Sequence, residues 1–544
     1  MSICDYTILK RVIKLMCAQI HLIHSALMPF HSLPTECLKY ILENLKNHTK
    51  TLHCCLLVNR FWCKNVVKLL WSHPFSLIEA GKPNIGNSLI STYVLFLKDE
   101  EIALLLNRSI DIFNNNPPLF NYPSFLNELN CSTLTSAILN WLFAKKLPMN
   151  WNEVSLLVKS LCELFMRSCT NFYSLKILLP SFDFVWDYLD FFNIFNVQPG
   201  LTNLTKFQLV VVGECNIREV SNLTKFLTSL PKICTGMKEL YIECMGEQEC
   251  FIELISNIIR SQHNLLKIRI KCTREDSANY IMPALQHQQN SLNSVQLHLM
   301  NLDRISLDHL AACHNLTSLE LNGCSGLTLN NIIPLMNANF AIKNLHLWNP
   351  LRLTNVHSAI IQKAGQTLRK LVLSQLTREI TQTILTFCPN ITHLEIGYSD
   401  KISTFFISLL NNLRITHLTI QELISFSSNL DLIKMLPSLG ENLPYSLNYL
   451  KLDGNFDPNQ VDNLVINCKA PIKTLICKNI RNIPNKSIIH FIKSNEGSLR
   501  RIGVMIKQIY LFDFKWNCFE KRIENEEYKT YMYSSLQLDD SWRF

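Results

Sequence analysis

Apolar residues recur along most of this chain in a six-residue pattern, apolar-x-x-apolar-x-apolar. One copy would mean little in a leucine-rich sequence, but thirteen copies at an average spacing of about 27 residues indicate an internal repeat. The last three residues of each copy predict a short strand with alternate side chains turned inward. The copies are residues 172–177, 204–209, 237–242, 265–270, 292–297, 316–321, 342–347, 368–373, 391–396, 415–420, 447–452, 472–477 and 499–504.

The segments between the copies predict the second half of each repeat. Residues 331–341 and 356–367, for example, have the apolar spacing of a helix of two or three turns. One strand and one helix cannot bury their apolar sides alone, whereas stacked neighbours share a continuous core. We therefore predict an α/β solenoid over residues 171–510, with parallel strands on a concave face and helices on a convex face.

A different rhythm occupies residues 31–75. Four aliphatic residues there follow the i, i+3, i+4, i+7 spacing of one helical face. These residues are Leu38, Ile41, Leu42 and Leu45. Two more short helices are expected in residues 51–57 and 63–71. Three helices of this size enclose a small core, and such a module often exposes apolar surface to a partner.

The remaining segments carry weaker patterns. Residues 91–108 and 151–169 have helical periodicity, and residues 114–123 are rich in turn-forming residues. Residues 9–30 mix basic and apolar residues, which leaves an amphipathic helix, a poorly ordered extension or a targeting segment open. The other predicted divisions are an N-terminal extension (1–30), a mainly helical linker or flank (76–170) and a C-terminal cap or tail (511–544).

Composition narrows the classes of protein that remain. With 48% apolar and 17% charged residues, the chain has the composition of a globular protein and not of a disordered one. A net charge of +9 over 544 residues is a mild excess without a basic run, so nucleic acid is not an expected partner. The uninterrupted apolar runs are too short to cross about 30 Å of hydrocarbon, so no membrane partner is expected.

The 20 cysteines lie scattered within apolar stretches, and no two of them form a C-x-x-C pair. This spacing removes the commonest signatures of zinc and redox sites. We expect most of these residues to be reduced, buried thiols, which favours a cytoplasmic or nuclear location, or both. No metal and no cofactor is expected.

Residues 316–328 connect the repeat to a known family. The positions of an L-x-x-L-x-L-x-x-C motif are taken by Leu316, Leu319, Leu321 and Cys324. With this motif the chain resembles leucine-rich repeats of the cysteine-containing type, which implies that Cys324 points inward at the turn after its strand. Other repeats depart from the motif, and in two of them Pro350 and Ser399 stand at the cysteine position.

A second resemblance lies in the N-terminal helical module, which begins with a Leu-Pro pair and ends in an L-x-x-x-L-x-V-x-R-x-W stretch. The matching residues are Leu33, Pro34, Glu36, Leu38, Ile41, Leu45, Leu52, Leu56, Val58, Arg60 and Trp62. They resemble the F-box, a motif that docks the Skp-type adaptor of cullin-RING ubiquitin ligases. The adaptor-binding residues that this implies are Leu33, Pro34, Glu36, Leu38, Ile41, Leu45, Leu52 and Val58. The residues that would pack the module are Leu56, Trp62 and Trp71.

The sequence contains none of the common phosphate-loop, dinucleotide, nucleophile-elbow or zinc-protease motifs, so we expect no catalytic residue and no enzyme activity. The concave face is the expected working surface, because its outward positions carry many cations. The candidate substrate-binding residues there are Lys267, Arg269, His346, Arg369, Lys370, His393 and Lys451. They would form either a groove for an acidic or phosphorylated segment or a merely solvated face.

Together the two resemblances imply the substrate-recognition subunit of a Skp-cullin-F-box-type ubiquitin ligase. The helical module would bind the adaptor, and through it a cullin scaffold, while the solenoid would hold an unidentified target protein. Two alternatives stay open. One is a leucine-rich-repeat scaffold without a ligase role, and the other is a secreted or membrane-tethered repeat receptor.

Overall fold

The computed structural model describes most of the chain, which divides into two compact units, Met1–Ser72 and His73–Phe544. The described residues are 35–45, 48–79, 83–106, 118–147, 151–180, 194–195, 200–213, 215, 217–245, 250–349, 353–398, 403–422, 439–454, 458–478, 501–510, 513–524 and 527–533. None of the helices in these ranges is both long and apolar enough to cross a membrane.

The first unit is helical throughout its described elements, which are α1 Thr35–Asn44, α2 Thr49–Leu56 and α3 Arg60–Leu70. The apolar sides of these helices enclose one small core. Its buried members are Leu38, Leu42, Leu45, Leu52, Cys55 and Val66, and Ile41, Leu56, Trp62, Leu69 and Leu70 pack against them. The helical spacing of aliphatic residues seen in the sequence is therefore the spacing of this core.

The third helix of this unit begins three residues earlier than the pattern predicts, at Arg60 instead of Cys63. Asn59 has an extended backbone, and its side-chain oxygen accepts a hydrogen bond of 2.9 Å from the backbone N–H of Trp62. Asparagine in this position is a favourable N-cap, since it satisfies a donor that the first turn leaves without a partner. Trp62 consequently lies on the first turn of α3.

In the described part of the second unit, sixteen strands form one sheet, and their order in space is their order in sequence. Strands β1 to β14 pair in parallel, and β14, β15 and β16 pair antiparallel. The strands are β1 Glu128–Asn130, β2 Ser174–Pro180, β3 Lys206–Val212, β4 Glu239–Met245, β5 Lys267–Cys272, β6 Ser294–His298, β7 Ser318–Asn322, β8 Asn344–Trp348, β9 Lys370–Leu373, β10 His393–Tyr398, β11 His417–Glu422, β12 Tyr449–Asp453, β13 Thr474–Lys478, β14 Arg501–Tyr510, β15 Asp513–Glu524 and β16 Glu527–Tyr533.

The predicted parallel repeat is confirmed strand by strand. Every one of the thirteen apolar hexamers contains the start of a strand, β2 to β14, and each strand begins at the third residue of its hexamer. The first hexamer, for example, begins at Phe172, and β2 begins at Ser174. Three strands lie outside the hexamers. β1 has three residues and lies within the region predicted to be mainly helical, and the antiparallel β15 and β16 lie in the segment predicted to be a C-terminal cap or tail.

Helices return the chain between the strands of the sheet. The described helices of the second unit are α4 Ser76–Glu79, α5 Pro83–Tyr93, α6 Asp99–Leu106, α7 Cys131–Ala144, α8 Trp151–Ser168, α9 Ile217–Ile233, α10 Cys250–Ser261, α11 Ser277–Leu285, α12 Asp308–Ala311, α13 Leu329–Asn337, α14 Thr354–Ala364, α15 Arg378–Phe387, α16 Ser403–Asn412 and α17 Pro458–Asn467. From α9 to α16, each helix contacts the next one along the chain. This stack and the inward strand residues form the continuous core that a repeat protein needs.

The helix expected over residues 91–108 is interrupted in the structure. Leu97 is extended after a short 3-10 turn, and α6 begins two residues later. The carboxylate of Glu101 accepts a hydrogen bond of 2.7 Å from the backbone N–H of Lys98, and two of 2.7 and 2.8 Å from the guanidinium of Arg167 in α8. Burial by itself would raise the pKa of Glu101, but the hydrogen bonds and charge of Arg167 lower it.

The cysteines whose side chains are described are all free thiols. Some of them connect successive repeats, since the thiol of Cys234 donates to the carbonyl of Leu204 at 3.0 Å and that of Cys388 to the carbonyl of Ile361 at 3.4 Å. Burial raises the pKa of Cys388 to about 12. Because the thiolate is the reactive form, a buried thiol of this kind is chemically inert at neutral pH.

Candidate protein-binding surfaces

Alternate residues of the parallel strands form one polar side of the sheet, which we call the ladder face. The residues between them are mostly leucine and isoleucine and are buried against the helices. The first ladder, in strand order, is Ser174, Lys206, Glu239, Lys267, Ser294, Ser318, Asn344, Lys370, His393, His417, Tyr449 and Thr474. The second is Lys176, Gln208, Tyr241, Arg269, Gln296, Glu320, His346, Val372, Glu395, Thr419, Lys451 and Ile476.

Most of the substrate-binding candidates from the sequence lie in these two ladders. They are Lys267, Lys370 and His393 in the first ladder and Arg269, His346 and Lys451 in the second. Arg369 is not part of either ladder, because it immediately precedes the first residue of β9 and is exposed there. Its guanidinium donates to the backbone carbonyls of Gln366 and Asn390 at 3.3 and 3.4 Å.

Acidic neighbours accompany many cations of the ladder face. The amines of Lys206 and Lys267 lie 3.8 and 3.6 Å from the carboxylate of Glu239, which stands between them. Further along, Lys271 pairs with Glu243, and the amine of Lys451 lies 3.1 Å from the carboxylate of Asp453. Such partly exposed pairs contribute at most about 1 kcal/mol each to stability. Their larger effect is to neutralise much of the positive charge that the sequence suggested.

Glu320 is the centre of a histidine–carboxylate cluster on β6, β7 and β8. One of its oxygens lies 3.1 Å from Nε2 of His298 and 3.0 Å from Nδ1 of His346. Only 6% of Glu320 is exposed. Burial by itself would raise the pKa of this carboxyl, but the hydrogen bonds and charges of the two histidines hold it well below its usual range. His346, a candidate contact residue, thus also orders the face around Glu320.

A stack of three rings continues the first ladder across β10, β11 and β12. The rings of His393 and His417 are 4.1 Å apart and inclined by 10°, and His417 lies 5.5 Å from Tyr449. Burial, together with the neighbouring His417 and Lys370, lowers the pKa of His393 to about 4. Burial and Lys370 also lower the pKa of His417. Both imidazoles are therefore neutral at pH 7.

This stack predicts a loss of stability on mild acidification. A histidine with a lowered pKa stays neutral in the folded chain while the unfolded chain takes up a proton, so stability falls as the pH decreases. For His393 the loss begins at the unfolded value of about 6.5 and is complete near the folded value of about 4. We expect His393→Gln to lessen the acid-induced loss by roughly 1–2 kcal/mol, after discounting for partial exposure, as measured by urea unfolding from pH 7 downward.

The exposed His263 offers the matched substitution for this measurement. His263→Gln makes the same change of side chain at a solvated position, and it shows how much of any difference comes from the substitution itself. If His393→Gln protein shows the same slope of stability against pH as the unaltered protein, the stack does not hold the His393 ring neutral.

Two depressions are open on the ladder face, with volumes of about 300 and 280 Å³. Arg269 lines both of them. The first is also lined by Gln208, Tyr241, Glu243, Lys271, His298 and Asn322, and the second by Ser318, Glu320, Asn344, His346, Lys370 and Glu395. Apolar residues in or beside the same strands complete the lining, so the depressions offer both charged and apolar contacts, a mixture that suits the side chains of a protein partner better than an apolar small molecule.

The helical unit presents a surface of a different kind. Large apolar side chains are exposed there. Leu57 and Val58 lie between α2 and α3, and Phe61 follows in the first turn of α3; we call these three residues the apolar turn. Their exposed fractions are 88, 38 and 46%, and Tyr40 in α1 is 70% exposed. Sequence reasoning identified Val58 but missed the other three. The signal that could have found the turn is Asn59, a favourable N-cap residue. A new helix that begins at Arg60 places Leu57 and Val58 between two helices, outside the apolar face of α2.

The other adaptor-binding candidates occupy several environments. Leu38, Leu45 and Leu52 are buried in the core of the helical unit, and Ile41 is partly buried against it. Glu36 is exposed, whereas Leu33 and Pro34 lie outside the described residues. The predicted packing residues Leu56 and Trp62 contact the core, and Trp71 is half-buried. Within the described ranges, no group of three His, Cys, Asp or Glu side chains is arranged to hold a metal ion.

Comparison with known proteins adds little to this geometry. No protein-family model matches the chain, and no curated protein matches it. Among solved structures, the chain is similar to one in the crystal structure of a Rad7 and Elc1 complex in yeast. The two are 14% identical with a TM-score of 0.36, over 84% of this chain and 96% of that one. This likeness is too slight to assign a function; the parallel-strand repeat sheet itself is what fits a leucine-rich-repeat protein.

Proposed function

We propose that this chain is a non-catalytic substrate-recognition subunit of a Skp-cullin-F-box-type ubiquitin ligase. Its helical unit would bind a Skp-type adaptor, and through it a cullin scaffold, while the ladder face of the repeat sheet would bind the target protein. Ubiquitin transfer would belong to other subunits. The place of action in this proposal is the cytoplasm, the nucleus or both.

The observation that carries the proposal is the exposed apolar turn of the helical unit. The unit already has a core of six buried apolar residues to which Leu57 and Phe61 do not belong, so these two residues are not needed to complete that core. Contiguous apolar side chains exposed on a small unit favour a docking site for another protein. The turn lies inside the stretch whose sequence resembles the F-box, which is why we choose an adaptor as its partner.

The ladder face supports the second half of the proposal. Repeat proteins commonly bind partners along the surface that their parallel strands create, because successive repeats present side chains in register. Here the register brings charged, amide and aromatic side chains into continuous rows. Such a mixture of aromatic anchors and hydrogen-bonding groups is typical of protein-binding surfaces.

Adaptor capture tests the proposal directly. We expect the purified chain to bind a purified Skp-type adaptor, and the double substitution Leu57→Asp with Phe61→Asp to weaken binding by at least about thirtyfold. Central apolar residues of an interface commonly contribute this much when they are lost, and a buried unpaired carboxylate would add to the loss. Dissociation constants from titration calorimetry give the readout, with circular dichroism to verify that the variant is folded.

Ile217→Asp is the matched control, since Ile217 is 89% exposed at the start of α9 in the other unit. It should bind the adaptor as the unaltered chain does. If the double variant binds equally well, the apolar turn is not the docking site. If the unaltered chain does not bind any Skp-type adaptor, the ligase proposal fails, and a repeat scaffold without a ligase becomes the better interpretation.

A further inference from the structure

Arg269 differs from the other cations in the middle of the ladder face. Lys206, Lys267 and Lys271 each have a carboxylate within ion-pairing distance. Among the described residues, no carboxylate lies within 4 Å of the Arg269 guanidinium. Its positive charge is therefore left without a neutralising partner at a place where the neighbouring charges are balanced.

Neutral groups hold the Arg269 side chain in position. Its Nε donates a hydrogen bond to the side-chain oxygen of Gln296 on the next strand. The guanidinium carbon lies 5.6 Å from the centre of the Tyr241 ring on the preceding strand. A fixed arginine loses less side-chain freedom when it binds an anion, so preorganisation of this kind increases affinity. Arginine in such a setting can bind a planar carboxylate by donating two parallel hydrogen bonds to its oxygens.

Lys370 supplies a second charge of the same kind. No carboxylate among the described residues lies within 4 Å of its amine either, and its charge helps to lower the pKa of His393 and His417. Arg269 and Lys370 line the same depression of about 280 Å³. This depression thus has, on each of two sides, a cation that makes no ion pair within 4 Å among the described residues.

We propose that this depression binds an extended acidic segment of the target protein, with one carboxylate on Arg269 and a second on Lys370. The inference rests on the proposed function and names the chemistry of the target at the ladder face. Arg269 is on β5 and Lys370 on β9, four strand spacings apart, or about 19 Å along the sheet. An extended peptide advances about 3.3 Å per residue, so the separation of the two strands sets an upper limit of about six positions between the acidic residues. Because both side chains reach into the same depression, a spacing of about four to six positions is expected.

The lining of the depression favours a carboxylate over a phosphate. Glu395 and Glu320 lie on the same surface, and the carboxyl of Glu320 is ionised because its pKa is held low. Arg269 and Lys370 each supply one positive charge, which balances a carboxylate, whereas a phosphate group with nearly two negative charges would keep an excess of negative charge beside these two glutamates. The partner we assign is for this reason an Asp- or Glu-containing segment.

Panning of phage-displayed random dodecapeptides on the intact protein tests the assignment. We expect the selected peptides to be enriched in pairs of Asp or Glu four to six residues apart. Synthetic copies should lose at least about tenfold in affinity when the two acidic residues are replaced by their amides, or when the protein carries Arg269→Gln. Arg269→Lys keeps the charge but not the planar fork, so the affinity of this variant for the peptides should lie between that of the unaltered protein and that of Arg269→Gln protein.

Lys343→Gln provides the control, because Lys343 is an exposed cation that precedes β8 and lies off the ladder face. It should bind the selected peptides within about twofold of the unaltered protein. Selected peptides without acidic pairs, or equal affinity in Arg269→Gln protein, would overturn the assignment. Binding only of peptides in which phosphoserine replaces the acidic residues would overturn the choice of a carboxylate. Adaptor binding by Arg269→Gln protein should be unchanged. Peptide binding therefore tests the acidic-segment proposal, and adaptor binding tests the ligase proposal separately.

Discussion

Gly326→Ala is expected to lower the free energy of unfolding by roughly 2–6 kcal/mol, which is a large share of the stability of an ordinary domain. Gly326 lies in the turn after β7 and has a φ of +73°, a backbone conformation that side chains with a Cβ rarely adopt. A Cβ at this place would lie 2.2 Å from the backbone nitrogen of Asp303 in the preceding repeat. The turn cannot easily yield, since the side chain of Asn331 donates to the carbonyls of both Gly326 and Leu302.

Gly236→Ala is the matched control for this prediction. Gly236 is exposed, and no heavy atom lies within 4 Å of the place where its Cβ would stand. We expect that substitution to change stability by less than about 0.5 kcal/mol, because surface changes away from special features are usually small. Urea midpoints followed by far-ultraviolet circular dichroism give the comparison. Equal midpoints for the two variants would show that the turn after β7 relaxes without cost.

The sheet could be predicted from the sequence because its repeat is expressed in apolar side chains. Burial requires an apolar side chain, most often leucine or isoleucine, at the same two places of the strands β2 to β14, and this requirement fixes the period of the repeat. The resemblance to cysteine-containing leucine-rich repeats implied that Cys324 points inward. Cys324 is buried, and its thiol donates a hydrogen bond to the carbonyl of Leu297 at 3.2 Å. The strand β1 could not be found in the same way, because three residues are too few to show a period.

The polar ladders were harder to predict than the core. Lys206, Glu239 and Lys267 are about 30 residues apart in sequence and become neighbours only through the register of β3, β4 and β5. Counting cations therefore suggested a basic face, whereas the register shows that several of these charges are paired. Arg269 stands out only once its neighbours are known. A residue's chemistry on a repeat surface is decided by the equivalent residue in the next repeat.

The buried glutamines between repeats are a second feature that composition conceals. Gln288 is 1% exposed, and its amide nitrogen donates to the carbonyls of Ile259 and Gln262, at 2.8 and 2.6 Å. Its oxygen accepts the backbone N–H of Leu265 at 3.3 Å. Gln262 makes an equivalent set of bonds to the repeat before, since its oxygen accepts the N–H of Met237 at 2.9 Å. The two side chains thus satisfy backbone groups where helices turn into strands.

Gln288→Ala is expected to lower the free energy of unfolding by roughly 2–5 kcal/mol. The substitution leaves the N–H of Leu265 without its acceptor inside the protein and removes the amide donor from the carbonyls of Ile259 and Gln262, and each unsatisfied buried group costs about 1–3 kcal/mol. The adjacent Gln289 is half-exposed, so Gln289→Ala removes the same side chain at the next position and should cost less than about 0.5 kcal/mol. Hydrogen exchange adds a local readout, because the amide of Leu265 should lose protection in the first variant only. If both variants unfold at the same urea concentration, the buried amide is not what holds these two repeats together, and apolar packing between α10 and α11 alone must do so.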